Sequence, residues 1–170
     1  MLLALILFFG ILTLWVPPRW ALSTFQVALF LAAMVALVRR IRSREAFSWH
    51  PVVLWLCVAA AWGLVQIATR HTVYEWRTWD AALNWITNLV AFSLALEIRG
   101  ERREWFLRVV LIFGFLLSIL ATFTVLTSPP GVAFWRFDLG TDHPVLGPFV
   151  YRNQYAAFVE VVLPLAIVRA

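Results

Sequence analysis

The stretch Ala28-Leu-Phe-Leu-Ala-Ala-Met-Val-Ala-Leu-Val38 is entirely apolar, and apolar and polar residues do not alternate in it. A strand of a membrane barrel alternates with a period of two, so this stretch does not fit a barrel. Backbone amides in lipid must be satisfied within their own segment, which a helix achieves and an open strand does not. The stretch therefore predicts a membrane helix.

The composition of the whole chain also indicates a membrane protein. Apolar residues make up 63% of the 170 residues, and charged residues only 14%. A soluble domain is roughly half apolar and about a quarter charged. So few charges could not cover so much hydrocarbon in water, and the chain is expected to lie in a lipid bilayer.

Six apolar runs approach the length of a membrane span, which is about 20 residues with a tolerance of about 17 to 25. They lie at roughly residues 1–16, 21–38, 51–68, 81–97, 105–127 and 153–168. The predicted fold is an all-α, polytopic transmembrane helical bundle of about six spans. Residues 1–170 are expected to be the amino-terminal part of a larger membrane domain.

Arginine counts in the loops predict the orientation, because loops retained in the cytoplasm are rich in basic residues. All basic residues other than histidine are arginine. The second and fourth loops hold seven arginines: Arg39, Arg40, Arg42, Arg44, Arg99, Arg102 and Arg103. The first, third and fifth loops hold five over more residues: Arg19, Arg70, Arg77, Arg136 and Arg152. The amino terminus is therefore expected in the cytoplasm. These clusters form no single basic face, so nucleic acid is not an expected partner.

The connection between the fifth and sixth runs, residues 128–152, is then an external loop. It combines aromatic residues with Pro and Gly, whereas disordered linkers are poor in aromatics. Long connections in compact proteins tend to be functional or disordered. We expect a folded segment over the membrane surface.

Polar residues at the start of the sixth run are the strongest candidates for a site. Arg152, Asn153 and Gln154 follow one another at the mouth of an apolar helix, where facing lipid is costly. An arginine fork suits a phosphate. Alternatively, Arg152 only anchors the helix end by reaching the headgroups.

Glu160 lies deeper in the same run, about 9 Å beyond Gln154 at 1.5 Å per residue. Helical spacing aligns it with Asn153, Ala157 and Pro164 on one stripe. We expect this stripe to face the interior of the bundle. An intramembrane carboxylate indicates either a functional site or a structural partner for an arginine of a neighbouring helix.

Three other features have weaker functional readings. Asn84 and Asn88 share one helical face, which interhelical hydrogen bonding explains adequately. Asp138, Asp142 and His143 are ligand-type residues but match no metal-site signature. Cys57 is the single cysteine, so no intrachain disulfide can form. No metal or cofactor is expected.

The stretch from Gly147 to Ala157, Gly-Pro-Phe-Val-Tyr-Arg-Asn-Gln-Tyr-Ala-Ala, resembles the O-antigen ligase and polymerase superfamily. Members often contain G-x-F-x-N-R-N-H-F-A here, and continue with a glutamate and L-P-L-A, as Glu160 and Leu163–Ala166 do. The resemblance covers roughly residues 80–170. Tyr151, Gln154 and Tyr155 depart from the pattern, and an amide at position 154 excludes proton transfer there.

This resemblance implies a metal-independent, inverting glycosyltransferase of the C type in the bacterial inner membrane. Such an enzyme moves a glycan from undecaprenyl diphosphate to lipid A-core or another acceptor. Arg136, Arg152, Asn153, Gln154 and Glu160 are the substrate-binding candidates that it implies, with donors stabilising the leaving diphosphate. The family's key arginines and histidine lie further along its chains. No catalytic residue is therefore assigned within 1–170, which is expected to be inactive alone.

Two other functions remain open from the residues. In a transporter or flippase, Glu160 and Pro164 would mark the path of a coupling ion. In a non-catalytic membrane assembly subunit, the polar stripe would serve only helix association.

Overall fold

A computed structural model describes residues 2–16, 19–44 and 49–169. Its helices are α1 (Leu2–Leu12), α2 (Trp20–Ser43), α3 (Pro51–Ala68), α4 (Glu75–Leu96), α5 (Glu101–Thr127) and α6 (Arg152–Arg169). Two short antiparallel strands, β1 (Val132–Ala133) and β2 (Phe137–Asp138), lie between α5 and α6. Each predicted apolar run forms a helix, so the all-helical architecture is confirmed.

Three of these helices, α2, α3 and α5, are long and apolar enough to cross a membrane by length and composition. Their mean hydropathies are 2.2, 2.0 and 2.7. The other three fall short of the predicted six spans for different reasons. Helix α1 has 11 residues, α4 contains Asp80, Asn84 and Asn88, and α6 contains Arg152, Glu160 and Arg169.

Three helices extend beyond their apolar runs into charged sequence, and one of them is α4, which begins at Glu75 rather than 81. Helix α2 continues to Ser43 through the arginines that follow residue 38, because arginine is a good helix former and its charge is favourable at a carboxyl end. Helix α5 begins at Glu101 rather than 105, with Glu101 and Glu104 in its first turn. Acidic side chains stabilise that end of a helix.

The chain forms two compact units, and one of them is Gln26–Arg99. Within it α3 packs on α4, where a Cβ added to Gly63 would lie 3.1 Å from the Cβ of Ala82. Small residues let two helices approach closely in a membrane. Helix α2 is joined to α4 by polar contacts: Gln26 donates to Asn84 over 3.3 Å, and Arg40 pairs with Glu97.

The other unit comprises Leu3–Phe25 and Gly100–Ala170. Helices α5 and α6 run antiparallel in it, since Arg169 at the end of α6 pairs with Glu104 at the start of α5. Val162 of α6 packs over Gly114, where an added Cβ would lie 2.6 Å from its Cγ1. Helix α1 meets α5 through the stacked rings of Phe8 and Phe113, whose centroids are 3.9 Å apart.

Candidate functional site

The connection between α5 and α6 is folded, as its aromatic, Pro and Gly content predicts. Strands β1 and β2 are joined by a tight turn in which Arg136 N donates to Ala133 O over 3.1 Å. Phe134 and Trp135 adopt φ values of 49° and 59° there. Two central residues with positive φ give the turn that matches the twist of a hairpin.

Gly131 is the residue around which this connection closes. Its N–H donates to His143 O over 2.9 Å, and its carbonyl accepts from Leu139 N over 2.9 Å. Its φ is +76°, and an added Cβ would lie 2.0 Å from Thr141 O. Only glycine fits both the backbone conformation and the space.

Buried contacts fasten the connection to α5. The N–H of Gly147 donates over 2.9 Å to the hydroxyl of Thr124, which is 1% exposed. Trp135 Nε1 donates over 2.8 Å to Thr127 Oγ1 at the end of α5. The backbone that leads into α6 is therefore held at a defined place against the end of α5.

A second set of contacts fastens the connection to α6. Phe149 is 1% exposed, and its ring lies 5.5 Å from Tyr155 and 5.3 Å from Phe158, between centroids. Gln154 accepts from the N–H of Tyr151 over 3.3 Å, which satisfies a donor at the first turn. Gln154 thus has a structural role as a helix cap.

The five predicted site residues do not contact one another through polar side-chain groups. Arg152 and Asn153 are the first two residues of α6 and are exposed. Arg136 is exposed, with its guanidinium carbon 6.0 Å from the centre of the Phe137 ring. Within residues 2–16, 19–44 and 49–169, no side-chain hydrogen bond or ion pair joins any two of Arg136, Arg152, Asn153, Gln154 and Glu160.

The predicted direction of the α6 stripe is wrong for this unit. Asn153, Ala157, Glu160 and Pro164 are all exposed. The face that packs is the opposite one, where Tyr155 and Phe158 meet Phe149, and Val162 meets Gly114. Ring packing and the close approach at Gly114 determine the rotation of α6, and they leave the polar stripe outward.

The other polar candidates have simple outcomes. Asn84 makes the interhelical hydrogen bond with Gln26, as expected for a membrane bundle. Asn88 is exposed, and the neighbouring Thr87 donates to Leu83 O within α4. In the part of the chain that the structure describes, no three His, Cys, Asp or Glu side chains are grouped closely enough for a metal ion.

An apolar cleft of about 640 Å³ lies in the same unit as the connection. Sequence reasoning did not identify it. Its walls come from α1, α5 and α6 and from the first turns of α2. Arg19 contributes the charged group of the lining. One feature of the sequence could have indicated the cleft: Arg19 lies just before an apolar run, on the same predicted side of the membrane as Arg152. The α6 wall begins at Phe158, about 9 Å along the helix from Arg152.

Comparison with protein-family models, with curated proteins and with solved structures gave no match to this chain.

Proposed function

We propose that this chain is the amino-terminal membrane part of an O-antigen ligase-like glycosyltransferase of the bacterial inner membrane. It binds the donor, a glycan carried on undecaprenyl diphosphate, at the start of α6. The acceptor is lipid A-core or another glycan, and the chain itself supplies no catalytic group. The supporting observation is the folded connection that presents Arg152 and Asn153 at the start of an apolar helix.

Charge and position support a phosphate ligand here. The first N–H groups of a helix lack helical partners, and the helix dipole favours an anion at that end. Arg152 adds a permanent positive charge and a planar set of donors. Its guanidinium makes no hydrogen bond or ion pair with another described residue, so its donors are available to a ligand.

The apolar cleft supports a ligand that carries a hydrocarbon chain. Phe8, Phe113 and Phe158 contribute to its lining together with aliphatic residues of four helices. Pockets of roughly 300–1,000 Å³ accommodate small ligands, so about 640 Å³ accepts part of a prenyl chain. A prenyl diphosphate fits both features of this unit, because its diphosphate can lie at Arg152 and its prenyl chain in the apolar cleft.

The proposal predicts the effect of Arg152→Ala on donor binding. We expect the variant to lose about tenfold or more in affinity for undecaprenyl diphosphate, because charged hydrogen bonds contribute about 1.5–3 kcal/mol each. Binding is measured with the purified chain in lipid nanodiscs. Arg70→Ala is the matched control, since Arg70 is exposed and lies on the same predicted side of the membrane.

A lysine at position 152 separates a forked contact from simple charge. Arg152→Lys should bind almost as poorly as Arg152→Ala if two phosphate oxygens are held at once. In cells that carry the full-length protein, Arg152→Ala should also abolish glycan transfer at a matched protein level. Unchanged binding and unchanged transfer would remove Arg152 from the site and with it the main support for the enzyme.

One observation favours a second candidate, a non-catalytic membrane assembly subunit. The polar stripe of α6, with Asn153 and Glu160, is exposed in its unit, and a charged group facing lipid is costly. Interhelical hydrogen bonds are a common use of such side chains in membranes. Glu160→Leu distinguishes the two candidates: loss of assembly with donor binding retained would support the second, and loss of donor binding with assembly retained would support the first.

A further inference from the structure

A second apolar cleft, of about 400 Å³, lies in the unit Gln26–Arg99 between α2, α3 and α4. The ion pair of Arg40 and Glu97 forms its one charged end. The lining otherwise comprises apolar or small side chains: Ala33, Ala36, Leu37, Trp49, Val53, Cys57, Leu89, Val90, Ser93 and Leu94.

The cleft results from how α2 is held. Helix α2 meets α4 through Gln26 with Asn84 and through Arg40 with Glu97. These contacts are separated by 14 residues on α2 and 13 on α4, or about 20 Å along each helix. Between them α2 presents Ala33 and Ala36, whose short side chains leave the space unfilled.

The cleft opens sideways to its surroundings. Trp49 is 69% exposed, Leu37 is 45% exposed, and Cys57 is exposed. An apolar gap that is open to a bilayer is accessible to lipid chains. If the gap stayed empty, the side chains that line it would lose dispersion contacts. A hydrocarbon chain from the neighbouring lipid is therefore the apolar part that fits.

Charge at the rim determines which lipid fits. Residues 39–45 contain four arginines and one glutamate. Arg44 directly follows Ser43, the last residue of α2, has a φ of 52°, and is exposed at that end of the helix, four residues beyond Arg40 of the cleft lining. Basic groups at the membrane surface between helices attract anionic headgroups, and arginine matches the geometry of a phosphate.

We propose that this cleft binds one anionic phospholipid, with an acyl chain between α2, α3 and α4 and its phosphate at the arginine run 39–44. The site is separate from the start of α6, and it takes a lipid of the surrounding bilayer rather than the glycan donor.

Native mass spectrometry of the purified chain tests this lipid site. The chain is reconstituted with mixed phosphatidylcholine and phosphatidylglycerol and then extracted in mild detergent. We expect one retained phosphatidylglycerol per chain. Ser93→Leu should reduce its retention about tenfold, because the larger side chain fills the cleft. Ser118→Leu is the matched control. Ser93 and Ser118 both donate their hydroxyl to the carbonyl four residues earlier, and Ser118 lines a groove between α5 and α6.

A charge variant keeps the proposal testable if Ser93→Leu fails to fold. Arg44→Gln should reduce retention of phosphatidylglycerol about fivefold, the factor that corresponds to about 1 kcal/mol per arginine near an anionic surface. Arg108→Gln, at an exposed arginine of α5, should have no effect. Equal retention of phosphatidylcholine, equal retention by Ser93→Leu and Ser118→Leu, or release of the lipid by inorganic phosphate alone would each overturn the site.

Discussion

Gly131 shows how one residue fixes the conformation of the segment that leads to α6. Substitution by alanine meets two penalties, a left-handed φ of +76° and an approach of 2.0 Å to Thr141 O. Gly140 has a similar φ of +64° but open space around it. Gly140→Ala should therefore cost about 1–2 kcal/mol of unfolding free energy, and Gly131→Ala clearly more.

Chemical unfolding of the two glycine variants in the same detergent, followed by tryptophan fluorescence, measures this difference. The comparison isolates the steric clash, because both variants carry the same backbone penalty. Equal midpoints for the two variants would show that the turn around Gly131 is not formed as described.

Individual polar residues were predicted unevenly from the sequence. Asn84 forms an interhelical hydrogen bond, as its helical spacing indicates. For Glu160, spacing identified the stripe correctly, but the stripe faces outward in its unit and not inward as predicted. A helical period shows which residues share a face, whereas the contacts of Val162 with Gly114 and of Phe158 with Phe149 determine where that face points.

Thr124 links α5 to the connection that follows it. Its hydroxyl donates to Ala121 O and accepts the N–H of Gly147, both over 2.9 Å. Thr124→Val keeps the shape but leaves that buried N–H without its acceptor, at a cost of about 1–3 kcal/mol. Thr122→Val is the matched control, because the Thr122 hydroxyl only donates within α5 and is exposed. Its effect should stay within about 0.5 kcal/mol.

Amide hydrogen exchange shows which segment of the Thr124→Val variant loses its protection. In Thr124→Val the amides of residues 145–149 should exchange faster, while those of α3 should be unchanged. A loss of stability without faster exchange in this segment would contradict the role of Thr124 as its anchor.

The helices were predictable from the sequence because each contains a mostly apolar run, and the charged extensions of α2, α4 and α5 were not included. The hairpin of β1 and β2 was not predicted. It depends on positive φ at Phe134 and Trp135, residues that carry no turn signature. The cleft beside α1 was also missed, since it arises from contacts between helices distant in sequence.

The number of membrane crossings determines which surfaces of the chain lie on the same side of the bilayer. Helices α2, α3 and α5 are apolar enough to cross by themselves. Helix α4 carries Asn84 within its apolar part, and Gln26 provides a partner for that amide. A span that shares its polar groups with a neighbour needs less hydrophobicity of its own. The six-span topology accordingly predicts that α4 also crosses the membrane.

Cysteine labelling distinguishes the two topologies. Ser43 and Asp142 are exposed and are separated by α3, α4 and α5, so they lie on opposite sides if all three cross. They lie on the same side if only α3 and α5 cross. In a Cys57→Ser background, an impermeant maleimide should label Asp142→Cys in intact cells and Ser43→Cys only after permeabilisation. Labelling of both variants in intact cells would instead leave α4 outside the bilayer core. Labelling of Asp142→Cys only after permeabilisation would place Arg152 at the inner surface, where it could not meet the donor that we propose for the outer leaflet.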